Sequence, residues 1–244
     1  MTVRLQDLLD QARAQKHTIA LVAGRKGLDR PVRWVHMVEN EEIAGFLEGQ
    51  EIAFTTGIGL EMQEDLTGLV ASAYHSGASG IVVNIGPFIR QISPEAIRFC
   101  NEHDFPMFRV PWSEHMAQIM HLFSLTITMS EKHSLELAVA LKNAIECPGR
   151  EELYMDTLEQ NGFGRDWNYS VGVLDCASTV STDDCAMPHV SADRLQVFTR
   201  QLESLFTQRQ WYAAQLMMQG RIVLVFARYD ADALATMSRE ILLA

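Results

Sequence analysis

Leu5, Leu8, Leu9 and Ala12 recur at three, four and seven residues within a stretch otherwise rich in charge. That period predicts a helix over residues 3–15 with a single apolar face. Beyond it the apolar residues come in short runs bounded by glycine and proline. TIALVAG (18–24), VRWVHMV (32–38), IAFTTG (52–57), GIVVNIG (80–86) and MFRVP (107–111) therefore read as strands. RKGLDRP reads as a turn, and IAGFLEGQ as a short helix and loop. Leu66, Leu69, Val70, Ala73 and Tyr74 give a helical pattern from Asp65 to Ser76. Ser93 and Pro94 open another helix, with the serine as N-cap and the proline at the first helical position. Strands alternating with helices predict an α/β domain with a mixed, partly parallel sheet, placed at residues 1–112.

From Ser113 to Cys147 there is neither glycine nor proline. Met116, Met120, Phe123, Ile127, Ser130, Ser134, Leu137, Leu141 and Ala144 alternate at four and three, a seam with a polar step in its middle. Residues 113–147 are thus expected as one long connecting helix, stopped at Cys147-Pro148-Gly149. Its stripe needs cover, from a second domain or from the same helix of another subunit, and dimerisation is the expectation. Residues 148–244 then read as helix (EELYMDTLEQNG), strand (YSVGVLDC), polar loop (STVSTDDCAMPHVS) and amphipathic helix (ADRLQVFTRQLESLFTQRQ). Two strands around Gln219-Gly220 and a last helix, ADALATMSREILLA, complete them. This order is that of a partial α+β ferredoxin-like sandwich, expected to be a piece of a longer protein.

Charge narrows the classes of partner. There are 20 basic residues against 31 acidic, a net −11, and no basic run exceeds a dipeptide. Gripping nucleic acid takes lysines and arginines that displace counterions from phosphate, so these residues are not expected to hold DNA themselves. No apolar run approaches the roughly 20 residues of a membrane span, and the amphipathic N-terminus has no signal-peptide core, so a cytoplasmic protein is expected. Cys100, Cys147, Cys176 and Cys185 form no CxxC and are expected as reduced thiols.

Catalytic motifs are missing. Glu102-His103-Asp104 and Glu114-His115 lack the spacing that sets two metal ligands on one helix face, and read as solvated surface. Gly24-Arg25-Lys26-Gly27 is a surface turn rather than a phosphate loop. Glu39, Glu41 and Glu42 suit either an acid–base or cation site or a solvated helix start. No catalytic residue, metal ligand or cofactor is assigned, and no enzyme is expected. Polar groups do recur at strand ends: His36 and Glu39, then Thr55, Thr56 and Gly57, then Asn84 and Gly86, then Pro111 and Trp112. Ligands of open α/β sheets sit outside the carboxyl ends of strands, which makes these residues candidates for a small-molecule pocket. Each also has a structural reading, since threonine suits a strand and Gly57 a turn with positive φ.

Specific runs carry a resemblance. GLDRPVRWVHMVEN, then FLEGQEIAFTTGIGL, then GASGIVVNIG and FPMFRVPW follow one another in order. With Leu28, Asp29, Arg30, Pro31, Val32, Trp34, Val35, His36, Glu39, Phe46, Leu47, Gly49, Glu51, Thr55, Thr56, Gly57, Pro111 and Trp112, they resemble the N-terminal domain of the purine catabolism regulatory protein (PucR) family of bacterial transcription regulators. Asn40 stands where an apolar residue often follows the glutamate. The second half resembles the GGDEF-like middle domain of the same regulators. Its turn, Gln219-Gly220-Arg221-Ile222-Val223, carries no acidic residue, so cyclase activity is not implied.

The resemblance implies a regulatory portion that senses a small metabolite of a catabolic pathway, of purines or other nitrogen compounds, and the long helix, on its seam, would carry the signal between the subunits of a homodimer. DNA contact is implied through a C-terminal helix-turn-helix absent from these residues. For an anionic ureide or carboxylate, Thr55, Thr56 and the Gly57 N–H would donate hydrogen bonds, and Arg33 or Arg109 would add charge. Two rivals stand beside it: a dimerisation module with no effector, and an enzyme using Glu39 and His36.

Overall fold

The computed structural model describes residues 3–60, 66–174, 198–199, 201–203, 205–206 and 208–243. They fall into two compact units, Thr2–Ser130 and Glu131–Ala244.

In the first unit, helix α1 (Leu5–Ala14) is followed by strands β1 (Ala20–Ala23) and β2 (Trp34–Met37), helix α2 (Glu41–Ala44) and strand β3 (Glu51–Thr55). Helix α3 (Leu66–His75), strand β4 (Gly80–Ile85), helix α4 (Pro94–Glu102) and strand β5 (Met107–Pro111) come next. The sheet order is β1-β5-β4-β3-β2. β2 to β5 run parallel and β1 pairs antiparallel with β5, so the mixed sheet is as expected. Every residue of β3 is buried, as are the first five of β4. Strands covered on both faces need no polar alternation, which is why both read as unbroken apolar runs.

Each face carries a core. Leu5, Leu8 and Leu9 of α1 pack with Phe54, Val82 and Phe108 on one side, and Leu69, Val70, Ala96 and Cys100 pack with Ala53, Ile81 and Val83 on the other. The helix starts follow short-range chemistry. The Ser93 hydroxyl accepts from the Ala96 N–H at 3.2 Å, with Pro94 beginning α4. Asn40 caps α2 by accepting from the Ile43 N–H at 2.8 Å, which explains a polar residue there.

Helix α5 runs from Met116 to Glu146. Part of the stripe read as needing a partner packs within the chain, and the rest of it is half-buried. Met116, Phe123 and Ile127 are buried in the core beside α1, with Met120 packed against it, so the first unit continues past residue 112 to Ser130. Leu141 is buried in the second unit's own core, and Leu137 and Ala144 pack onto it.

The second unit contains helix α6 (Met155–Gln160), strands β6 (Tyr169–Leu174), β7 (Ala213–Met218) and β8 (Arg221–Ala227), and helix α7 (Ala231–Leu243). Its antiparallel sheet has the order β6-β8-β7. Gln219 and Gly220 both take positive φ, 51° and 76°, as a tight hairpin turn requires. Leu202, Phe206, Met237 and Ile241 cover Ile222, Leu224 and Phe226 on one face, while Leu158 and Phe163 pack with Val223 and Val225 on the other. The polar loop 178–191, Cys176, Cys185 and the start of the following amphipathic helix lie outside the described residues.

Candidate functional site

β2 and β3 are paired so that His36 lies beside Ala53 and Met37 beside Phe54. The Val38 N–H still donates to the Phe54 carbonyl at 2.7 Å. One step further, Glu39 therefore leaves the sheet next to the end of β3. Four donor groups meet its carboxylate there. The Thr56 hydroxyl donates to Oε1 at 2.7 Å, and the Gly57 N–H and Thr55 hydroxyl donate to Oε2 at 2.9 and 3.1 Å. The Thr56 N–H is shared between the two oxygens at 3.2 and 3.1 Å. Only two of these contacts are below 3 Å, so the carboxylate is held in a clasp by the number of its donors rather than by uniformly short bonds.

The receiving side is firmly held. Thr55 and Gly57 are buried, whereas Glu39 and Thr56 are half-buried. Gly57 has φ +79°, and a Cβ on it would lie 2.4 Å from Cγ1 of Ile89, a fully buried residue of the β4–α4 connection. Glycine is thus demanded twice, by backbone conformation and by the close approach. Gly59 folds back on the same loop, its position allowing no Cβ beside the Glu39 carbonyl.

The other candidates are distributed around this clasp. Asn84 is buried on β4 and donates to the Val110 and Pro111 carbonyls at 3.4 and 3.3 Å. Because Thr55 pairs with Val83 and successive residues alternate, Asn84 faces the opposite side of the sheet from Thr55. Trp112 lies against Gly86, where a Cβ would come within 2.3 Å of the indole, and meets Phe88 edge-on at 6.0 Å. His36 is half-buried within β2. Arg109 is exposed in the middle of β5. Arg33 precedes β2 at the other end of the sheet, its guanidinium 5.8 Å from the Trp34 ring centre. Glu39, Thr55, Thr56 and Gly57 are brought together; Arg33 is not. Glu41 and Glu42 occupy the first turn of α2, where carboxylates suit the helix N-terminus.

Three placements were not foreseen from the sequence. Ile89 seals the far side of Gly57. Glu51 is buried at the start of β3, where it accepts from the Glu48 N–H at 2.8 Å. Glu114, read as surface, accepts from His17 Nδ1 at 2.7 Å and from the Thr18 N–H at 3.0 Å. Those bonds, the one from His17 foremost, hold its carboxyl below the usual glutamate range. Beside them, Gln15, His17, Gln118, His121 and Leu125 line an open cleft of about 620 Å³. Among the described residues, no group of three or more His, Cys, Asp or Glu is arranged to hold a metal ion, and no helix is long and apolar enough to cross a membrane.

Fold and strand-end clasp define a mixed-sheet α/β domain whose polar rim is built around one carboxylate. Residues 7–127 match the model of the purine catabolism regulatory protein-like family, and this segment is a domain of that family. A purine catabolism regulatory protein of Bacillus subtilis (strain 168) is similar over 120 residues at 24% identity. The aligned part is 49% of this chain and 23% of that relative. The matched segment includes the clasp residues and the first part of α5, and it ends before the second unit's sheet.

Proposed function

We propose that this chain is the effector-sensing and dimerising portion of a bacterial transcription regulator controlling a catabolic pathway, of purines or other nitrogen compounds. The observation that carries this reading is the family match over residues 7–127. The first unit would bind the metabolite in the cytoplasm, and the protein would work as a homodimer. A ligand alters such a regulator only by binding one arrangement of it better than another. The second unit would be a degenerate GGDEF-like domain, a reading supported by its β6-β8-β7 order and by a hairpin turn without acidic residues. With a net charge of −11, these residues make a poor surface for DNA, which in this reading is held by a helix-turn-helix elsewhere in the regulator.

A thermal-shift and calorimetric screen of purine breakdown products tests the proposal. A true effector raises stability by about 2.7 kcal/mol at a hundredfold excess over Kd. A screen in which no catabolite binds, or one in which a ureide or nucleobase is turned over, overturns it. The specific rival is a dimerisation module with no effector. It is favoured by one observation, that the rim donors are already engaged by Glu39. A dimer in sedimentation together with a silent screen selects that rival.

A further inference from the structure

The donors at the end of β3 converge on one carboxylate, and that carboxylate belongs to the chain itself. We propose that Thr55, Thr56 and Gly57 form a carboxylate-binding site which Glu39 occupies in cis, and that a carboxylate-bearing ligand binds by taking the place of the Glu39 side chain. The proposal deepens the sensor reading and rests on it for its biological meaning.

Three observations support it. The receiving groups are rigid: Thr55 is a buried strand residue, and the Gly57 backbone is fixed between its positive φ and Ile89. The occupant is less enclosed, for Glu39 lies between β2 and α2 and is half-buried. Nor is Glu39 needed to start α2, because Asn40 does the capping. Its side chain can therefore swing into water without dissolving a strand or a helix. The exchange also conserves hydrogen bonds. An incoming carboxylate accepts from the same two hydroxyls and two N–H groups, and the departing one is solvated, so no buried donor is left without a partner. A ligand must still outcompete a tethered rival whose effective concentration is of order millimolar or above. A bare monocarboxylate will not do so in the wild-type protein, whereas a larger ligand with added contacts would.

Removing the rival makes the site readable. Glu39→Ala should lose stability and regain it in acetate or formate, with Tm rising by about 5 °C at tenfold excess over Kd relative to chloride at equal ionic strength. The wild type should show no such difference, and Glu39→Ala combined with Thr56→Val should lose most of the response. If Glu39→Ala is unfolded in buffer, refolding yield in acetate against chloride makes the same comparison. A carboxylate response no larger than that to chloride overturns the proposal. An equal response in wild type and variant also overturns it, as a general salt effect on folding. The assay uses no catabolite, so a silent effector screen leaves the carboxylate site standing, and a failed rescue leaves the effector to the screen.

Discussion

The Phe123 ring on α5 meets the Phe54 ring on β3 edge-on, with centroids 5.9 Å apart and planes at 63°. Both are buried. Phe54 precedes Thr55, whose hydroxyl holds Glu39, so the clasp and the long helix are attached to neighbouring residues of one strand. The sheet rim and the helix are thus joined by one peptide step and one packed aromatic contact.

That contact makes the first half of α5 part of the fold of the first unit. Phe123→Ala should destabilise that unit by about 3–5 kcal/mol, the usual cost of emptying a buried aromatic site. Leu125→Ala, two residues on and 43% exposed, should stay within about 0.5 kcal/mol of wild type. Urea unfolding of both variants checks the contrast. Equal, small effects would mean that the helix only rests on the domain.

Gly57 gives a second prediction, with two separable causes. A side chain there occupies the left-handed region, at about 1–2 kcal/mol, and meets Ile89 at 2.4 Å. Overpacking adds about 1–3 kcal/mol. Gly57→Ala should thus lose several kcal/mol in chemical denaturation. In an Ile89→Ala background the same substitution should cost only the conformational part. If the cost is identical in both backgrounds, Ile89 does not press on Gly57.

How much of this was legible depended on range along the chain. The caps at Asn40 and Ser93, the face of α1 and the buried strands β3 and β4 are consequences of adjacent residues, and the pattern exposed all of them except the Asn40 cap. The seam of α5 was legible as a period but not as an address. Alternate spacings of four and three serve equally for packing against one's own domain and against a second helix. Glu39, Thr55, Thr56 and Gly57 were recognisable as polar strand ends. That they bond to one another depends on the register His36 to Ala53 across a crossover, which no local pattern encodes. The His17–Glu114 pair spans 97 positions and left no mark at all.

The cysteines should separate by reactivity. Cys100 lies on the buried face of α4, and burial pushes its thiol up to about 12, so it carries almost no thiolate at ordinary pH. Cys147 is exposed just past α5. In the native protein, iodoacetamide should alkylate Cys147 at least ~100-fold faster than Cys100, which reacts only through opening of the domain. Peptide mapping over a time course reads both rates. Rapid labelling of Cys100 would mean that α4, which carries it, opens far more often than its packing suggests.

The Glu114 clasp on His17 and Thr18 predicts the sign of a pH effect. The bonds from the His17 ring and the Thr18 N–H favour the ionised carboxylate in the folded protein, so its folded value lies below the ordinary 4.5. A group depressed on folding contributes stability that is complete above its unfolded value and disappears as the pH falls through its folded value. Glu114→Gln should accordingly be less stable than wild type near neutrality, and the gap should narrow as the pH falls below 4.5. Asp7, which burial pushes up but the bonds and charge of Arg4 together bring below its ordinary value, makes wild type and variant both weaken in acid, but it is common to the two and cancels in their difference. Urea midpoints for both proteins at about pH 7 and about pH 3 measure the gap directly. A gap that is constant or widens in acid would show that Glu114 gains nothing from its charge and that the two contacts act only as neutral hydrogen bonds.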